Sequence, residues 1–145
     1  MRRFSALISA ALLFVGVASA GAQSLYPRNA GDKVRTSAMI EMPKGYVSGV
    51  CVMYNDGTDV KASIFNEFGI SAMDFVYDPE KDKVKLVSVM KMLDKWYIRK
   101  LLKKDLLKVV HNLQQGKEGY RNEKYKIDYK FSLLKDGTEE RTVQD

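Results

Sequence analysis

The side chains able to do chemistry are few and scattered. Cys51 is the chain's one cysteine and His111 its one histidine. Cys51 stands between Val50 and Val52 in the most hydrophobic segment, with no cationic neighbour to stabilise a thiolate, so an inert core thiol is expected. His111 lies beside Val110 near the end of a helical repeat, where an imidazolium would meet the negative end of the helix dipole. Without a second histidine or a paired cysteine it lacks the partners a zinc site needs. Asp78, Glu80 and Asp82 alternate around Pro79 and suggest a calcium loop, but the run is short and lacks the Asp-x-Asp-x-Asp-Gly order. A solvated hairpin turn is expected there instead. Glu139-Glu140 has neither a base nor a nucleophile beside it, and no glycine-rich phosphate loop occurs. The expectation is a non-enzymatic protein with no cofactor and no metal.

Two features bear on binding. The helical repeat carries Lys95, Arg99, Lys100, Lys103, Lys104 and Lys108. Such a face is either ordinary solvated surface or a contact for anionic lipid headgroups. The strand-like segments are rich in aromatic residues and methionine, which suit an ordinary core or a pliable apolar cavity. On the cavity reading Ile64, Phe75, Leu86, Tyr129 and Phe131 are the candidate ligand-binding residues, with the helix as a lid.

The elements that must position these groups follow from periodicity. Val34, Thr36, Ala38, Ile40 and Met42 alternate with Lys33, Arg35, Ser37 and Glu41 as a half-buried strand, ended by Pro43-Lys44-Gly45. Tyr46–Tyr54 is apolar on both faces and reads as a central strand, closed by the hairpin signal Asn55-Asp56-Gly57. Strands follow over 59–66, 70–77 and 83–90, the last two separated by the Pro79 turn. From Asp94 to Gln115 the period becomes that of a helix, with the stripe Tyr97, Ile98, Leu101, Leu102, Leu106, Val109, Val110 and Leu113. Trp96 and Leu107 fall off it. Asp94 fits an N-cap and Gly116 a C-terminal stop. Tyr125–Leu133 returns to period two, and Asp136-Gly137 would turn the chain back into a short edge strand at 138–143. The expected fold is α+β: a curved antiparallel sheet of six or seven strands with one long amphipathic helix packed on it, a half-open barrel.

At 145 residues, 46% hydrophobic and 29% charged, the chain has room for one domain and too much apolar content for disorder. Residues 1–22 have a signal peptide's layout: Arg2 and Arg3, the apolar run Ala6–Ala18, then small-residue cleavage patterns ending at Ala20 and Ala22. That run is shorter than the roughly 20 residues of a spanning helix. No cysteine follows it for lipid attachment. The expected organisation is therefore a signal peptide (1–22), a flexible leader (23–31) and one domain (32–145), periplasmic or secreted, with no transmembrane segment in the mature chain. Without residues 1–22 the chain keeps 22 basic residues against 18 acidic ones, a charge of +4. That surplus is small for nucleic-acid binding, and export argues against such a partner.

The run from Gly45 to Met53, Gly-Tyr-Val-Ser-Gly-Val-Cys-Val-Met, followed by Lys61–Phe75 with Asn66, Glu67, Phe68, Gly69, Ile70, Asp74 and Phe75, resembles small exported bacterial proteins of uncharacterised function. The similarity covers most of residues 46–110. More distantly, the strand order and the glycine-strand-turn-strand pattern are similar to the lipoprotein localisation factors. That resemblance implies a half-open antiparallel barrel closed by helices around a cavity for acyl chains. Two functions from different classes are expected: an envelope protein binding a lipid or other apolar ligand, or a structural accessory module binding an envelope protein through a sheet edge or the basic helix face.

Overall fold

The computed structural model describes residues 24–134. Five strands come first: β1 (Lys33–Met42), β2 (Gly45–Asn55), β3 (Val60–Phe65), β4 (Ser71–Asp78) and β5 (Lys83–Val89). A 3-10 turn (Lys91–Leu93) leads into α1 (Trp96–Gln114), followed by β6 (Gly119–Asn122) and β7 (Ile127–Leu133). The seven strands form one antiparallel sheet in the order β5-β4-β3-β2-β1-β7-β6, curled into a half-barrel with α1 packed on it. The architecture is α+β, and β2, apolar on both faces, lies at the centre of the sheet.

Register gathers the apolar residues on one face. Ala38 is opposite Phe131, Ile40 opposite Tyr129, Ala62 opposite Phe75, and Phe75 opposite Leu86. Because strand side chains alternate, these alignments put every inward residue on the concave side. One contact there admits only glycine. A Cβ on Gly49 would come within 1.8 Å of the Phe65 carbonyl oxygen, beside the bulge between Ile64 and Phe65.

Leu102, Leu106, Val109, Val110 and Leu113 of α1 are buried against this face. The helix ends where expected. Gly116 has φ +81°, its N–H donates to the Leu113 carbonyl (3.0 Å), and the Lys117 N–H donates to that of Asn112 (2.9 Å), a Schellman arrangement. Its start differs from expectation. Lys95, not Asp94, is the N-cap, because the 3-10 turn that buries Leu93 leaves Asp94 outside the extended cap geometry. Asp94 instead accepts from Arg99 at 3.1 Å. Tyr97, expected on the stripe, is exposed: five residues before Leu102, it sits about 140° around the helix from it. Leu107, five residues after, is half-buried.

Three further differences concern the chain's connections. The expected flexible leader is partly packed, at residues 25–27. Leu25, Tyr26 and Pro27 are buried, the Tyr26 ring meets Tyr77 edge-on at 6.4 Å, and Asn55 Nδ2 donates to the Pro27 carbonyl at 2.9 Å. A leucine and a tyrosine in a short polar segment are enough to anchor it over the apolar end of the core. The partner of β7 after the helix is β6, four residues long and too short to show a period; the proposed turn at Asp136-Gly137 and strand at 138–143 lie outside the described residues. Tyr125, expected inside with Tyr129, is exposed in the β6–β7 turn, where Lys126 takes φ +57°.

Chain direction defines two ends. The lower carries the connections 56–59, 79–82 and 115–118 with the segment 24–32, and the upper carries 43–44, 66–70, 90–95 and 123–126. Truncating Leu102 to alanine should lower the unfolding free energy in a denaturant titration by about 2–5 kcal/mol. Lys100→Ala, on the exposed side of α1, should change it by no more than about 0.5 kcal/mol.

Candidate functional site

The five candidate cavity residues do come together. Ile64, Phe75, Leu86, Tyr129 and Phe131 share the concave face, and all are buried in one cluster with the apolar stripe of α1. Each is in close contact with packed neighbours, so their immediate role is to hold sheet and helix together. Leu86 alone also reaches the surface, at a seam.

That seam runs between β5 and the first half of α1. It forms a cleft of about 470 Å³ lined by Lys85, Leu86, Trp96, Arg99, Lys100 and Lys103. Local periodicity explains the set. Trp96, Lys100 and Lys103 recur at helical spacing along one flank of α1, and Lys85 lies on β5 next to Leu86. Arg99 is partly engaged: it pairs with Asp94 and reaches the Leu86 carbonyl at 3.5 Å, which stitches α1 to β5. Lys85, Lys100 and Lys103 have no ion-pair partner among the described residues. Trp96 is 77% exposed and stacks edge-on to Tyr97 at 5.7 Å. The cleft thus joins an apolar floor, an aromatic wall and uncompensated positive charge. Such a surface suits an apolar tail with an anionic head.

A second cleft, about 510 Å³, lies at the lower end between the N-terminal segment and the end of α1. Arg28 spans it by donating to the Gln114 carbonyl, and it lacks any cluster of like charge.

Periodicity did not single out the polar groups that fix the helix. Asp105 is buried, and its carboxylate accepts from Asn122 Nδ2 at 3.0 Å to both oxygens and from the Tyr129 hydroxyl at 2.8 Å. Burial, and then the Asp105 charge, push the Tyr129 hydroxyl's pKa strongly up, so it stays a donor. The signal was present: Asp105 is three residues after Leu102 and four before Val109, inside the apolar stripe. At the lower end His111 Nε2 lies 2.7 Å from Asp82 Oδ1, which also accepts from the Tyr77 hydroxyl at 2.7 Å. The His111 contact first, and the Tyr77 bond second, hold the Asp82 carboxyl below its usual range. Burial, then Asp82, pushes Tyr77 up to about 12. These three resemble a relay but have no nucleophile beside them. Cys51 is fully buried, and desolvation raises it to about 12 against a weaker opposing bond to Thr36, so it is a thiol at neutral pH. Among the described residues no group of three His, Cys, Asp or Glu is placed to hold a metal ion.

No family model, curated protein or solved structure matches the chain. The reading of the site therefore rests on its geometry.

Tyr129→Phe should cost about 1–3 kcal/mol in unfolding free energy, because it leaves a buried carboxylate short of a donor. Tyr120→Phe, whose hydroxyl meets only Lys108 at 3.4 Å near the surface, should cost less than about 0.5 kcal/mol. A carboxyl held below its usual pKa of 3.8 stabilises the fold above that value and stops doing so as pH falls through its folded value. Asp82→Asn should therefore lower Tm at neutral pH, with the gap to the parent closing as pH drops below about 3.8.

Proposed function

We propose that the protein is an exported, non-enzymatic envelope protein that binds a lipid or another apolar ligand with an anionic head along the seam between sheet and helix. The observation that carries this reading is the β5–α1 cleft, where Lys85, Lys100 and Lys103 stand unpaired around Leu86 and Trp96. The signal-peptide layout of residues 1–22, with no cysteine after it for lipid attachment, supports export to the periplasm or outside the cell. Because the candidate residues Ile64, Phe75, Tyr129 and Phe131 are close-packed, the ligand lies at the edge of the core and not inside it.

The alternative is a periplasmic structural or accessory module that binds a partner protein through a sheet edge or the basic face of α1, and its sheet-edge form has less support. The exposed edge strand β5 carries Lys83 and Lys85 on its solvent side, a pattern that discourages strand pairing.

The test is binding of dodecyl phosphate, with inorganic phosphate and dodecanol as the head-only and tail-only arms. The fluorescence of Trp96, the single tryptophan, serves as the readout. Dodecyl phosphate should saturate at one site and weaken with added salt. The triple variant Lys85→Gln, Lys100→Gln, Lys103→Gln should lose about tenfold in affinity, at about 0.5 kcal/mol per exposed charge contact. No saturable binding, or unchanged affinity in the triple variant, would refute the reading. Equal binding of inorganic phosphate would mean that the tail contributes nothing.

A further inference from the structure

The two ends of the half-barrel differ in what they expose. Among the described residues the lower end exposes one large apolar side chain, Tyr54. The upper end exposes Tyr46 after the first hairpin, Phe68 and Ile70 in the second, Met92 and Trp96 around the start of α1, and Tyr125 in the last. Phe68 is 77% and Ile70 63% exposed. The turn holding them does not need them. Its geometry comes from Asn66 Oδ1, which accepts from the Phe68 and Ile70 N–H groups, and from Gly69 at φ +78°. Large, mostly exposed apolar side chains in a turn whose geometry comes from Asn66 and Gly69 suit a contact surface.

The charges at this end keep a positive surplus once the pairs are removed. Asp94 is held by Arg99 and Glu123 by Arg121. Lys44, Lys91, Lys95, Lys124 and Lys126 are then set against Glu41 and Glu67, with Lys124 lying over the Tyr125 ring at 5.4 Å. Phe and Ile in one turn, Trp and Tyr at the same end and lysines among them are the residue types that a bilayer surface takes up in its acyl, interfacial and phosphate layers.

We propose that the upper end of the domain docks on a membrane surface bearing anionic headgroups. The occupant follows from complementarity. The apolar groups come from separate connections, which a deformable phase can meet together, and the lysine surplus fits anionic lipid. No helix of the described residues is long and apolar enough to cross a membrane, so the contact is peripheral. The inference rests in part on the lipid reading of the β5–α1 cleft. That cleft shares Trp96 with the docking end, so docking brings it to headgroup level.

Purified protein, expressed as the full chain, is tested by sedimentation with vesicles of phosphatidylcholine alone and of phosphatidylcholine mixed with phosphatidylglycerol. The mixed vesicles should carry protein down and shift Trp96 emission to the blue, and the neutral ones should do neither. The double variant Phe68→Ser, Ile70→Ser, with the same N-terminus and an unchanged melting temperature, should bind mixed vesicles at least about tenfold more weakly. It should still bind dodecyl phosphate as the parent does. If the double variant sediments like the parent, or neutral vesicles bind as well as mixed ones, the docking proposal is overturned. Vesicle binding that depends on Phe68 and Ile70, in a parent that ignores dodecyl phosphate, supports docking while removing the cleft reading. A parent that ignores both vesicle types overturns docking, whatever protein associates through the same tips.

Discussion

One helix has to cover the concave face of a seven-stranded sheet, and the rest of the molecule answers to that requirement. The backbone of α1 comes nearest to the two edge strands, β5 and β6, so the sheet curls around the helix and the helix does not lie flat on its middle. Apolar burial drives the docking but has no preferred direction and would tolerate sliding. Polar ties at both edges fix the register. On the β6 side Asp105 takes donors from Asn122 and Tyr129, and Asn112 donates to the Gly119 carbonyl. On the β5 side Arg99 reaches Leu86 and His111 meets Asp82. The Asp105 tie carries most weight: its carboxylate is out of water, so any slip of the helix would strand it without donors.

The same geometry decides where ligand chemistry can lie. A helix held between two edges fills the interior, and Ile64, Phe75, Tyr129 and Phe131 are committed to packing. What the helix cannot close is its own flank, where β5 is the last strand of the sheet among the described residues. Arg99 bridges that seam at one point, and beside it Lys85, Lys100 and Lys103 meet Leu86 and Trp96. The cleft thus arises from covering a wide sheet with a single helix.

Much of this was legible in the sequence, and the failures have physical causes. Strands β1 to β5 could be read because each is long enough to show period two and ends in a turn with its own chemistry, as at Asn55-Asp56-Gly57, where Asn55 and Asp56 side chains accept from the turn's N–H groups. The body and end of α1 were equally clear. Its start was not, because burial of Leu93 overrode the capping preference of Asp94. β6 was missed because four residues, Gly-Tyr-Arg-Asn, carry no period, and their pairing is set by β7. Asp105 was passed over although its position in the stripe marks it as buried. Composition puts aspartate on surfaces, and only the spacing said otherwise.

The asymmetry of the two ends follows from the same chain order. Below, the sheet and helix leave an apolar end that Leu25, Tyr26 and Pro27 cover, with Tyr26 set against Tyr77 and Arg28 bound to the last turn of the helix. The chain enters there, so its first residues are available for that task. Above, the 3-10 turn buries one side chain, Leu93. The hairpin connections at 43–44, 66–70 and 123–126 lie at the same end. Phe68, Ile70 and Tyr125 in these turns are exposed and lie outside the buried cluster. A docking surface of the kind proposed would offset their cost in exposed surface, and the lysines beside them favour an anionic one.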